Sequence, residues 1–100
     1  MPSFIYLYRA GSEPVPPDDI AANRQAWADW NLILEEDYGI RTAAGKIVTL
    51  DGVYEYSGDV RGASMVEFES LDAAVEFAKQ APNLAFGGSV EVLGEYEVPR

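Results

Sequence analysis

Two absences define the chemistry open to this 100-residue sequence: it contains neither Cys nor His. Thiolate nucleophiles, disulfides, imidazole acid-base catalysis and the usual zinc and copper ligand sets go with them. Carboxylates are what remain in number, 17 Asp and Glu against 7 Lys and Arg. Glu35-Glu36-Asp37 supplies three hard oxygen donors, but adjacent helical residues point in three directions, and a calcium cage draws on alternating loop oxygens. The run reads as a solvated helix end. Glu67 and Glu69 fall two apart on one strand face, as an acid-base pair could, yet no matching cleft architecture accompanies them. A polar sheet face or a barrel-lumen lining is the better reading. Gly87-Gly88 follows a helix and precedes a strand, the reverse of the strand-loop-helix context of a phosphate loop, so it reads as a turn. No metal or cofactor is expected.

The aromatic residues offer a different chemistry. Trp27 and Trp30 share a helical face, and Arg24 precedes Trp27 by three residues on a neighbouring part of it. Such a pair is commonly core. Buried indole N-H groups still require acceptors, however, and an aromatic surface beside a cation is a common wall for a small-molecule pocket. Arg24 either faces a cleft and binds an anionic group or pairs with one of the carboxylates.

These side chains need elements to hold them. Phe4-Ile5-Tyr6-Leu7-Tyr8 is aromatic and β-branched and predicts a strand over residues 3 to 9, followed by breakers from Gly11 to Pro17. Pro17-Asp18-Asp19 suits a helix start, and Ile20, Trp27, Trp30 and Leu34 form one face of a helix over 17 to 37, with Gly39 as its stop. Strands over 45 to 50 and 53 to 57 flank Asp51-Gly52, two residues tolerant of positive φ, which predicts a tight hairpin. A longer strand over 60 to 69 sets Ser64, Val66 and Phe68 on one face, with Met65, Glu67 and Glu69 on the other. Ser70 caps a helix over 71 to 80 whose apolar face is Leu71, Ala74, Val75 and Ala78, and Pro82 ends it. A last strand spans 88 to 97.

The order is a ferredoxin-like βαββαβ with an added β-hairpin: an α+β fold with two helices on one face of an antiparallel sheet. Residues 1 to 100 form a single domain. The first strand is apolar on both faces, whereas a one-sided sheet should alternate apolar with polar. Two helices cover one side, so the other is either left as an exposed patch or packed against a second copy of the same sheet. The formal charge of -10, with scattered basic residues, argues against nucleic acid and anionic membranes as partners. The apolar start MPSFIYLYRA is too short for a signal peptide or a span, leaving a cytoplasmic location as the default.

The stretches GKIVTLDGVYEYSGDVRGASMVEF and SLDAAVEFAKQAPNLAFGGSVEV, with the paired tryptophans of RQAWADW, resemble the YCII-related family over nearly the whole domain. The resemblance implies a dimeric α+β barrel, in which two such sheets pack face to face and a cleft lies between sheet and helices. Members that look enzymatic carry Arg-x-x-His in the first helix and an Asp before the proline ending the second, a His-Asp dyad. This chain reads Arg24-Gln25-Ala26-Trp27 and Gln80-Ala81-Pro82, so both dyad positions are replaced. The Asp-Gly-Pro-Phe signature of the sister DGPF subfamily is also missing, since Asp51-Gly52-Val53 belongs to the hairpin. The resemblance implies a cleft walled by Tyr6 or Tyr8, Arg24, Trp27, Trp30 and Ser64. Trp27 stands in the place of the imidazole, converting a general-base position into a stacking wall. The expectation is a homodimeric, non-catalytic or regulatory module for a small anionic aromatic ligand. The alternatives are a lyase or dehydrohalogenase-like enzyme working through Tyr, Arg or Glu, and a purely structural assembly protein.

Overall fold

The computed structural model describes residues 1–34, 39–42, 44–56 and 58–95. Its elements in chain order are β1 (Ser3–Arg9), α1 (Ile20–Ile33), β2 (Ile40–Arg41), β3 (Lys46–Thr49), β4 (Gly52–Glu55), β5 (Val60–Glu67), α2 (Leu71–Ala78) and β6 (Ser89–Gly94), with 3-10 turns over Pro17–Asp19 and Pro82–Phe86. β2, β5, β1 and β6 lie side by side in that order, each pair antiparallel, and β3 and β4 form a separate two-stranded sheet. Because β1 occupies the interior next to both β5 and β6, the two β-α-β units interleave. This is the ferredoxin-like α+β arrangement.

Side-chain alternation along β1 explains the core. Phe4, Tyr6 and Tyr8 point to the helix side and are buried, opposite Val66, Ser64 and Gly62 of β5 and Gly94, Val92 and Val90 of β6. Trp30 from α1 and Ala74 and Ala78 from α2 close over them. The aromatic rings touch in sequence: Tyr6 stacks on Trp30 at 6.2 Å, Trp30 meets Phe77 at 5.1 Å, and Phe77 meets Phe68 at 5.5 Å. The other face of the sheet presents Ile5, Met65 and Leu93 in register, all three exposed.

Several expectations are corrected in detail. The first helix divides into a 3-10 turn headed by Pro17 and an α-helix that begins at Ile20, where Ile20 itself is exposed. Its expected C-terminal part, with Glu35-Glu36-Asp37, lies outside the described residues. Ser70 does cap α2, accepting from the Ala73 N-H at 3.1 Å. The buried face of α2, however, is Ala74, Phe77 and Ala78 rather than Leu71 and Val75, which face solvent. The helix ends at Ala78, and Pro82 instead starts the following 3-10 turn. In the hairpin Val48 pairs with Val53 and Thr49 with Gly52, so the two loop residues are Leu50 and Asp51. Gly52 opens the return strand at a φ of 154°, a conformation suited to glycine. The main sheet also contains β2, an edge strand of two residues that the hydrophobic pattern does not announce.

Candidate functional site

A cleft of about 1120 Å³ opens between α1, the end of β1 and the β2-β5 edge of the sheet. One wall is a helical face of α1 formed by Asn23, Arg24, Trp27, Ala28 and Asn31. These positions recur at the spacing that a 3.6-residue period brings to one side. The opposite wall is Ile40, Arg41 and Thr42, and the floor includes Tyr8, Gly62 and Ser64. Gly62 makes the floor and edge possible. A Cβ there would stand 2.7 Å from the Ile40 carbonyl oxygen, too close for β2 to dock as it does.

The polar contacts of the floor run into the core. The Trp30 indole N-H donates to the Tyr8 hydroxyl at 2.9 Å, and Tyr8 and Ser64 share a hydroxyl-hydroxyl bond of 2.8 Å. Burial of an indole N-H and a serine hydroxyl is thereby made inexpensive, because each finds a partner. Trp27 stands edge-on to the Tyr8 ring, 5.1 Å between centroids at 84°. At the mouth, Asn83 donates to the carbonyls of Arg9 and Ser89, each at 2.9 Å, tying the Pro82–Phe86 turn to the end of β1. Its Oδ1 is buried without a partner among the described residues.

Charge around the cleft is the reverse of the charge of the chain. Arg9, Arg24, Arg41 and Arg61 all contribute to its lining, and Glu13 is the only carboxylate among the described lining residues. Arg9 is engaged elsewhere. Its guanidinium bonds Glu91 and reaches Asp59 at 2.6 Å, which raises its pKa and holds the Asp59 carboxyl below the usual carboxylate range. Arg61 donates to the carbonyls of Gly58 and Val60 at 3.3 Å. Arg24 and Arg41 have no ion pair among the described residues.

The structure gathers four of the six expected site residues, Tyr8, Arg24, Trp27 and Ser64, at this cleft. Tyr6 and Trp30 lie beneath it. Tyr6 has no exposed surface and donates a 2.5 Å bond to the Ala74 carbonyl; burial, then the neighbouring Tyr8, push its phenol pKa well up. Trp30 does not line the cleft and is joined to its floor by the bond to Tyr8. Glu67 faces outward beside Met65 on the uncovered side of the sheet and joins no carboxylate cluster; no group of three potential metal ligands occurs among the described residues. Gly87 serves as a turn after the Pro82–Phe86 segment, with φ at 78°. Arg41 was invisible to pattern reading. A two-residue strand has no periodicity, and only the pairing of Arg41 with Gly62 places it on the helix side.

No family model and no curated protein matches the chain. Among solved structures, the ensemble-refined crystal structure of the protein At3g17210 from Arabidopsis thaliana is similar over 100% of this chain and 98% of that one, with 16% identity and a TM-score of 0.41. Assignment of the fold therefore comes from the strand order itself. No described helix is long and apolar enough to cross a membrane.

Proposed function

We propose that the chain is a YCII-like, homodimeric binding module that holds a small anionic aromatic ligand in the α1-sheet cleft without transforming it. The carrying observation is Arg24, a cation on the cleft wall without an ion pair among the described residues, one helical turn from Trp27. Trp27 offers a planar apolar surface and the Tyr8-Ser64 pair offers hydroxyls, the mixture that binds an aromatic acid by stacking and by charge. A passive role is favoured by Trp27 itself. Its indole donates one hydrogen bond and cannot take a proton, so it cannot act as the imidazole base of the resembled enzymes.

Dimerisation through the sheet is supported by its outer face, where Ile5 is 42%, Met65 54% and Leu93 46% exposed in adjacent register. A partner sheet would bury them over an interface of more than about 1,000 Å². Light scattering at micromolar concentration should return twice the monomer mass, and a monomer would remove this part of the reading.

Ligand binding is tested by titrating benzoate while following tryptophan fluorescence. The wild-type protein should respond saturably, and Arg24→Ala should weaken binding about tenfold, the usual scale for one charge-assisted contact at a partly open site. An Arg24→Ala protein that binds benzoate as tightly as the wild type would overturn the reading.

A further inference from the structure

Arg24 is matched by a second cation across the cleft. In the sheet register Arg41 of β2 stands opposite Gly62 of β5, and Gly62 stands opposite Tyr8 of β1. Directly paired residues share a face, so Arg41, Gly62 and Tyr8 form one row on the helix side. Two strand spacings put the Arg41 backbone about 10 Å from that of Tyr8. Gly62 has no side chain, which leaves the interval between them open at the floor. Trp27 stands edge-on to the Tyr8 ring, with Arg24 three residues earlier on α1. The aromatic residues thus share one cleft with a helix-borne cation and a strand-borne cation. Both line the cleft, and neither is paired with a carboxylate among the described residues.

Two guanidinium groups without an ion pair among the described residues thus line one cleft, and a ligand that offers each of them an anion lowers their mutual repulsion. Two anionic groups on one ligand give each guanidinium its own bidentate partner. We propose that the cleft selects an aromatic ring bearing two anionic groups, one bound by Arg24 and the other by Arg41, with the ring against Trp27. This deepens and rests on the reading of the cleft as a site for an anionic aromatic ligand. Arg41 would then decide specificity, since the helix wall alone accepts a monoacid. The bidentate fork of each guanidinium suits a carboxylate or a phosphate alike.

Phthalate, isophthalate and terephthalate present two carboxylates at three separations on the same ring, with benzoate as the monoacid. At least one diacid should bind the wild-type protein about tenfold or more tightly than benzoate. In Arg41→Ala that advantage should collapse to near unity while benzoate affinity is retained. Arg41 is exposed, and its side chain makes no hydrogen bond among the described residues, so the substitution does not threaten the fold. Lys79→Ala removes one positive charge from a residue that does not line the cleft and that pairs with Glu76. It should leave the diacid advantage intact, separating a local contact from a change in net charge. Diacids that bind no better than benzoate, or an advantage that survives Arg41→Ala, would overturn the two-anion proposal while leaving the monoacid site standing. Failure of benzoate and all diacids to bind would overturn both.

Discussion

Tyr6→Phe separates a structural tyrosine from the ligand site beside it, and its effect has a calculable dependence on pH. The Tyr6 hydroxyl is fully buried and donates at 2.5 Å to the Ala74 carbonyl of α2, joining the central strand to the helix above it. Deleting the hydroxyl removes that bond and leaves a small void, a cost of about 1–2 kcal/mol at neutral pH. For a domain of this size, that corresponds to roughly 4–8 °C in Tm per kcal/mol. The native phenol is held above its ordinary value by burial and by Tyr8, whereas the unfolded chain ionises it near pH 10. Folding therefore opposes ionisation. The contribution of Tyr6 is fully present below the unfolded pKa and is lost as pH rises from there toward the folded pKa, at a limiting slope of about 1.4 kcal/mol per pH unit. Phenylalanine has no such loss, and every other residue is common to both proteins. The deficit of Tyr6→Phe should accordingly shrink above pH 10 and nearly vanish about one unit higher. Urea unfolding of both proteins between pH 7 and 11, followed by tryptophan fluorescence, measures it. A deficit unchanged from pH 9 to 11 would refute the linkage, and a Tyr6→Phe protein that loses benzoate binding at neutral pH would refute the placement of Tyr6 outside the site.

Two other perturbations test the parts that carry the cleft. Arg9 holds the folded-state pKa of Asp59 down, so the stabilisation from that pair is present above the unfolded pKa and is lost as pH falls through the folded one. Asp59→Asn should flatten the decline in stability below pH 4, and acid-unfolding curves that superimpose with the wild type would show the pair to be inert. Gly62→Ala places a methyl group 2.7 Å from the Ile40 carbonyl oxygen and should cost about 1–3 kcal/mol by displacing β2. It should also reduce any diacid advantage that depends on Arg41; a protein as stable as the wild type would contradict the close strand approach.

What could be read in the sequence divides along physical lines. β1 was legible because five consecutive aromatic and aliphatic residues leave little alternative to a strand, and its double-sided apolarity pointed to an uncovered sheet face. The Ser70 cap was legible because a short polar side chain before an apolar run satisfies an otherwise free amide. The buried face of α2 was half legible: Ala74 and Ala78 were expected on it and are buried, but Leu71 and Val75 were expected there too on hydrophobicity alone and Phe77 was left out. Close approach to β1 and β6 favours the small side chain instead, and Tyr6 takes the Ala74 carbonyl as its acceptor. β2 was missed because an edge strand of two residues draws its definition from the partner strand. Arg41, one of the four arginines that line the cleft, was hidden with it. Trp27 and Trp30 were placed on one stripe, but only packing could tell them apart. Trp30 is drawn into the core by the Tyr8 hydroxyl, whereas Trp27 stays half-buried at the cleft wall.

The contrast between an acidic chain and a cleft lined by arginines has a consequence for selectivity. At physiological ionic strength, fields from exposed carboxylates are screened over about 8 Å, whereas a ligand inside the cleft meets the arginine side chains at contact. An anion small enough to enter experiences Arg24 and Arg41 with only Glu13 opposing them among the described lining residues. A long polyanion would have to lie against the outer surface of a molecule carrying a formal charge of -10, where repulsion extends along its whole length. The same charge distribution that repels a long polyanion leaves the proposed small diacid a positively lined cleft. The hydroxyl floor sharpens the distinction. The Tyr8 hydroxyl is already bonded to Ser64 and accepts from Trp30, so an entering ligand meets a surface whose own polar groups have partners. Recognition then falls to the two guanidinium groups and the Trp27 ring, which makes affinity depend on the number and spacing of anionic groups on one aromatic frame.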